Sequence, residues 1–218
     1  MSNQLLQSTS PTEDAGAVCS FCSIFRDPTR RRDLDAALVE DDDFTAFASL
    51  GGFIEGWVLI APRRHVISLA QLSLDESERF ATFRTEVEAT VQRNYGSTIS
   101  FEHGPTGCNQ PVGCSVDHAH LHIVPFHRSI LPDLMAVSPS DTEWRPCADG
   151  SVDALERGER SYIHLRDFDG REWTGFSEKL PSQLVRRVLR QLVVGDDCYD
   201  WRRYPCVSTV YRTIARLT

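Results

Sequence analysis

"DHAHLHIVPF", residues 117–126, sets His118, His120 and His122 at alternate positions in a 218-residue chain that holds seven histidines. Along a strand, successive side chains point to opposite faces, so this spacing turns three imidazoles one way and Ala119, Leu121 and Ile123 the other. The stretch predicts a strand with an apolar core face and a row of imidazoles on an exposed face. A neutral imidazole is a nucleophile near neutral pH, and a neighbouring ring can donate to an anion. Such a row suits phosphoryl or nucleotidyl chemistry. The alternative is a chance cluster at a strand edge, and the unbroken apolar counter-face argues against it.

The rest of the chain bounds the reading. Hydrophobic residues make up 41% and charged residues 25%, the composition of a globular protein with a core. The formal net charge of −8 argues against a general nucleic-acid surface, so an anionic ligand must be held locally. No stretch approaches the roughly 18 apolar residues of a membrane span, and residues 1–17 lack a signal-peptide pattern. The expectation is a cytoplasmic protein with no membrane partner. Seven cysteines cannot form a complete disulfide framework, which leaves burial, metal binding or redox chemistry. Cys19 and Cys22 in "VCSFCSIF" have the spacing of a metal-binding pair, but a bare C-x-x-C is equally compatible with a redox pair or two buried thiols.

Three domains of texture follow along the chain. Residues 1–17 are polar and read as a flexible tail. Residues 18–130 carry "ALVE", "FTAFASL", "WVLIAP", "STISFEH" and the histidine stretch as strands. Between them lies a helix from Ser73, with Glu76 completing a capping box, Gly96 at the stop, and Phe80, Phe83, Val87 and Val91 on one face. Residues 131–218 begin with a polar connector lacking strong period, then a hairpin turning at Asp169-Gly170. An apolar-striped helix from about Leu184 and a final short helix complete them. The fold class expected is α+β: an antiparallel meander sheet with a packed helix, plus a C-terminal hairpin and helix extension that packs on the core.

"HAHLHIV" resembles, at every position, the His-φ-His-φ-His-φ-φ signature (φ apolar) of the histidine-triad (HIT) superfamily of nucleotide hydrolases and transferases. "GCSVD", residues 113–117, resembles the family's glycine-loop segment, and "LIAPRRHV", residues 59–66, its strand-end Pro-x-x-His segment. The likeness spans about residues 18–128. It implies that His120 attacks the α-phosphorus to form a nucleotidyl-histidine, which water then releases as the mononucleotide. By the same resemblance His122 binds phosphate oxygens, Ser115 donates to that group or to the leaving side, and backbone N–H groups near Gly113 and Cys114 form an anion nest. The third position, Gln in the uridylyltransferase branch, is His122 here, which implies hydrolysis over transfer. Branches that pair a C-x-x-C with the Pro-x-x-His histidine and the first histidine of the row imply a structural zinc on Cys19, Cys22, His65 and His118. Relatives commonly form homodimers, so a homodimer is expected.

The chain departs from the family pattern in places that concern the substrate. Cys114 stands where relatives carry Gln before the Ser/Thr of the loop, and Ser49 where many carry an acidic ribose ligand. Phe47 is then the base-packing expectation, and Glu102 and His103 in "FEHG" are expected ligand contacts, with a solvated loop as the alternative for His103. Arg63 and Arg64 could face phosphate or stand at a solvated strand end, "RDPTRRRD" reads as a surface charge cluster, and "CYDWRRYPC" as an aromatic anchor that could also stack a base. The function expected is cleavage of a nucleoside monophosphate from a dinucleoside polyphosphate, a nucleotide sugar or a phosphoramidate. A nucleotidyltransferase or phosphorylase with a non-water acceptor, and a non-catalytic nucleotide-binding module, are the alternatives.

Overall fold

The structure is a computed structural model that describes residues 19–108, 116–147, 157 and 159–218. Its strands are β1 (Ala37–Glu40), β2 (Phe44–Ala48), β3 (Val58–Pro62), β4 (Thr98–Gly104), β5 (Leu121–Pro125), β6 (Glu143–Pro146), β7 (Tyr162–Arg166) and β8 (Glu172–Phe176). All pair antiparallel in one sheet of order β1-β2-β3-β5-β4-β7-β8-β6. The helices are α1 (Ser20–Arg26), α2 (Leu74–Tyr95), α3 (Leu131–Val137), α4 (Leu184–Val193) and α5 (Val207–Leu217).

Helix α2 forms as its sequence predicts. The Ser73 hydroxyl accepts from the Glu76 N–H at 3.3 Å, the Glu76 carboxylate accepts from the Ser73 N–H at 2.8 Å, and Gly96 ends the helix at φ 84°. Phe83, Val87 and Val91 pack on Phe44, Ala46, Val58, Ile60, Leu121 and Ile123, a core covering one face of the sheet. Each large apolar side chain so buried stabilises the fold by about 1.5–3 kcal/mol. On the other face Trp57, Ile99, Phe101, Ile163 and Leu165 meet Leu134 of α3 and Leu184, Val185, Val188 and Leu189 of α4. The apolar stripe of α4 is thus what binds the extension to that face.

The C-terminal part does more than pack on the core, because it continues the sheet. β7 pairs with the edge of β4, from Ser100↔Arg166 to Gly104↔Tyr162, and closes that edge to any other strand. The expected hairpin is β7–β8, with Gly170 at φ 84°. The connector read as irregular contains α3 and the outer strand β6, both too short for a period to show in sequence. Gly51, at φ 72°, marks a second junction: a Cβ there would lie 2.4 Å from Trp201 Cβ, and its N–H donates to the Pro205 carbonyl at 2.8 Å. Only glycine allows both that backbone conformation and that approach.

One expectation about the histidine stretch needs correcting. β5 begins only at Leu121, so His122 alone of the three lies in the strand, and His118 and His120 belong to the segment leading into it. Nor is the imidazole side exposed: His118, His120 and His122 are 1%, 7% and 1% accessible. Helix α1 and the extension cover that side, and neither covering could be read from the stretch itself.

Candidate active site

Short helix α1 carries Cys22 and Phe25 inward, three residues apart, with Cys19 at its N-terminus. The turn after β3 brings His65 to the same place, and the start of the histidine row brings His118. Cys19 Sγ lies 3.4 Å from His118 Nδ1, Cys22 Sγ 3.3 Å from His65 Nδ1 and 3.7 Å from His118 Nδ1, and the two Nδ1 atoms are 3.3 Å apart. All four ligand atoms fall within 4.8 Å of one another and could hold a metal ion. His118 Nε2–H donates to the Pro62 carbonyl at 2.7 Å, and because a carbonyl can only accept, the lone pair of the neutral ring sits on Nδ1, facing the cluster. Burial, then the neighbouring Cys19, push the Cys22 thiol up to about 11. A bound cation reverses such a penalty by favouring the thiolate.

His120 is held the other way round. Its Nδ1–H donates to the His118 carbonyl at 2.8 Å, which leaves the Nε2 lone pair pointing away from the backbone. Burial brings its pKa down to about 4, with the Arg186 charge adding to the effect and the carbonyl contact opposing it. The ring is therefore neutral at physiological pH. His122 is fixed by Trp57, whose indole N–H donates to Nδ1 at 3.0 Å. An indole N–H can only donate, so the proton of neutral His122 resides on Nε2. Burial, then His120, Arg186 and His103, hold this ring well below its ordinary pKa. His122 also stacks on Phe101, centroids 4.4 Å apart at 12°, and lies 4.8 Å from the His120 ring. The pair consists of one imidazole with its lone pair on Nε2 and one with its proton on Nε2, side by side.

Both rings line a cavity of about 380 Å³, within the size range of small-molecule sites. Its apolar walls include Phe21 and Ile24 of α1, Phe47 of β2 and Leu59 of β3; Arg30, Arg32, Arg186 and Trp201 add cationic and aromatic groups. Of the expected substrate contacts, Phe47 lies in this wall. Ser49 is buried behind it, its hydroxyl accepting from Arg186 Nη2 at 2.6 Å. His103 is buried on the His122 side of the sheet, its ring centroid 6.2 Å from that of Phe101. Glu102 does not join them. Its side chain is on the α2 face, accepting from the Leu69 N–H at 2.7 Å and the Tyr162 hydroxyl at 2.6 Å. Gly113, Cys114 and Ser115 lie outside the described residues.

Trp57 and Arg186 escaped the sequence reading. Trp57 stands two positions before Leu59, but that this face meets His122 follows from the Leu59↔His122 pairing, which only the structure shows. Arg186 lies on the flank of a helical stripe, a position many surface residues share, whereas Trp201, in the segment read as an aromatic anchor that could stack a base, lines the cavity. Two arginines of "RDPTRRRD" reach the cavity, Arg30 paired with Asp27 and Arg32 with Asp35. Arg63 and Arg64 are in ion pairs with Glu40 and Glu76, as a solvated strand end would be.

Three histidines so arranged on β5 and the segment leading into it define a class, and residues 31–129 match the HIT domain model. Over those residues, a little under half of its length, the chain is similar to the HIT domain family. It is similar to the adenosine 5'-monophosphoramidase HINT3 of Xenopus tropicalis, 27% identical over 107 residues, 49% of this chain and 66% of that protein. The chain thus spans slightly less than two thirds of that relative. Among solved structures, a Hit-like protein involved in cell-cycle regulation from Bartonella henselae is 18% identical with a TM-score of 0.43, covering 53% of this chain and 86% of that one. A Zn-bound histidine triad family protein from Mycobacterium smegmatis is 23% identical with a TM-score of 0.38, covering 51% and 77%. Among the described residues no helix is long and apolar enough to cross a membrane.

Proposed function

We propose that this protein is a nucleotide hydrolase that releases a nucleoside monophosphate from a phosphate-linked conjugate through a nucleotidyl intermediate on His120. The observation that carries the reading is the opposite protonation of two adjacent rings against one cavity: His120 offers a lone pair at Nε2 and His122 an N–H. A phosphoryl centre needs both, a nucleophile for phosphorus and a donor for the charge building on its oxygens. In the first step the His120 Nε2–P bond forms, the bond to the leaving oxygen or nitrogen breaks, and the electron pair departs with the leaving group. His122 Nε2–H donates to a non-bridging oxygen, and the further donors implied by the resemblance, Ser115 and the backbone near Gly113 and Cys114, lie outside the described residues. Water then attacks phosphorus, the N–P bond breaks, His120 recovers its lone pair, and the proton lost by the water passes to solvent, matching the one the leaving group takes from solvent in the first step. Phe47 supports the base, and the similarity to an adenosine 5'-monophosphoramidase makes adenine nucleotides with a P–N or P–O–P linkage the first substrates to offer.

Cys19, Cys22, His65 and His118 fit a zinc ion. A tetrahedral ion with bonds of about 2.3 Å to sulfur and 2.0–2.1 Å to nitrogen separates its donors by roughly 3.3–3.8 Å. The contacts above fall at 3.3–3.7 Å. Four protein ligands close the site, so the ion would brace α1 against the row and supply no chemistry to the substrate.

The test is to incubate the full chain with adenosine phosphoramidate, a diadenosine polyphosphate and an ADP-sugar in buffer without acceptor, following AMP release. AMP release, with AMP trapped on His120 in quenched protein by peptide mass spectrometry, supports the reading. Release only on adding an acceptor would make the protein a transferase. A label on another residue would remove His120 from the role.

A further inference from the structure

Helix α1 serves two sites at once. Cys19 at its N-terminus and Cys22 within it bring two thiols to His65 and His118. Ser20, Phe21, Ser23 and Ile24, from the same seven-residue helix, line the cavity beside His120 and His122. Phe21 stands between the two. Its ring centroid lies 5.3 Å from that of His118, 5.7 Å from that of His120 and 5.2 Å from that of Phe47, each pair meeting edge to face. One side chain thus touches a histidine of the cluster, the proposed nucleophile and the ring expected to pack the base.

So short a helix is not stable by itself, because nucleation costs more than its few hydrogen bonds return. Side chains hold α1 in place: Phe21, Ile24 and Phe25 pack with Phe47, Leu59 and Ala61, and the two thiols reach the histidines. A cation bonded to all four ligands strengthens that docking, since the free energy of binding at such a site also orders the segment that carries the ligands. A nucleotide that rests on Phe21 and Ile24 needs the same docked helix. Two ligands that favour one conformation of a shared element tighten each other's binding by the same factor. We propose that α1 couples the Cys/His cluster to the nucleotide cavity through Phe21, so that metal and nucleotide bind cooperatively. The proposal rests on the nucleotide reading above and adds a link that neither the C-x-x-C pair nor the histidine row contains. A competing route by-passes the helix, running from His118 through its carbonyl to His120 Nδ1 at 2.8 Å.

Zinc affinity of the full chain, measured by competition with a chromophoric chelator under reducing conditions, separates the two routes when read alone, with saturating AMP and with inorganic phosphate. The helix route predicts that AMP tightens zinc binding by about fivefold or more and that removing zinc weakens AMP binding by the same factor. Phosphate, which carries no nucleoside to press on α1, should leave zinc affinity within about twofold. Phe21→Ala keeps all four ligands and still binds zinc, but the effect of AMP should fall to within about twofold. Phe21→Leu restores an apolar side chain and should recover part of it. Equal zinc affinity with and without AMP overturns the proposal and leaves the nucleotide reading standing. An effect that phosphate reproduces, or that persists in full in Phe21→Ala, overturns it by placing the link in the backbone route. If Phe21→Ala does not fold, Phe21→Leu decides: a diminished AMP effect supports the helix route, and an undiminished one refutes it. Wild type that binds AMP but no zinc refutes this proposal alone. Wild type that binds zinc but not AMP refutes it together with the adenine-nucleotide reading.

Discussion

His118 and His120 are two residues apart, both buried, and each ring donates one N–H to a backbone carbonyl, yet they face opposite kinds of surroundings. His118 donates from Nε2 to Pro62 and turns Nδ1 to two thiols and another imidazole. His120 donates from Nδ1 to His118 and turns Nε2 away from the chain, beside a cavity. On the proposed reading, the same side chain serves as a ligand or as a nucleophile according to which nitrogen the backbone occupies. Burial keeps both neutral, as both tasks require.

The contrast is broken most directly by His120→Ala, expected to abolish turnover in the AMP-release assay while bound metal, measured by elemental analysis, stays at the wild-type level. Activity within tenfold of wild type would end the nucleophile assignment. Cys22→Ser is the converse: metal content should fall and the thermal midpoint drop by more than about 5 °C, since each kcal/mol is worth roughly 2–4 °C at this chain length. Full metal loading of that variant would remove the cluster from its bracing role. Trp57→Phe sharpens the comparison within the cavity. It keeps an aromatic ring but removes the donor that fixes the His122 tautomer, and turnover should fall about tenfold, near the 1.4 kcal/mol that one hydrogen bond commonly supplies. Unchanged turnover with an unchanged melting curve would show that the tautomer is set elsewhere.

Another buried imidazole, His164 on β7, has a single thiol near it, Cys147 Sγ at 4.0 Å from Nδ1, and serves as a control outside the Cys/His cluster and the cavity. Its pKa is lowered by burial, with Glu172 opposing the shift. Below about pH 6.5 the unfolded chain then takes up a proton that the folded one resists, so this contribution to stability is complete above that pH and lost as pH falls. The acid limb of denaturant stability should be shallower in His164→Gln than in wild type, and coincident curves would contradict it. The smallest effect is expected from Glu102→Gln. Its carboxyl lies on the α2 face with its pKa raised by burial, so AMP release should remain within about twofold. A large loss would mean that this face communicates with the cavity.

Much of the fold was legible because its signals are local. Capping at Ser73, the apolar and aromatic runs of β2 and β3 and the hairpin at Gly170 depend on neighbours in sequence, and the structure contains each of them. The irregular connector was read less well, because α3 and β6 are held by contacts with α4 and β8 and not by their own periodicity. In the site, the C-x-x-C spacing and the strand-end histidine pointed to the Cys/His cluster, whereas Glu102 and Ser49 were assigned by position alone. The structure turns the first to the opposite face and seals the second behind Arg186.

Alternation and residue type alone determined that three imidazoles would stand on one side of an apolar segment, because those constraints act over a few residues. Which nitrogen of each ring is available, and that an arginine sixty-four positions after His122 shares their cavity wall, were decided by tertiary structure. Tautomers follow from the partner at the far nitrogen, and that partner, whether the Pro62 carbonyl or the Trp57 indole, is brought there only when separate strands come together.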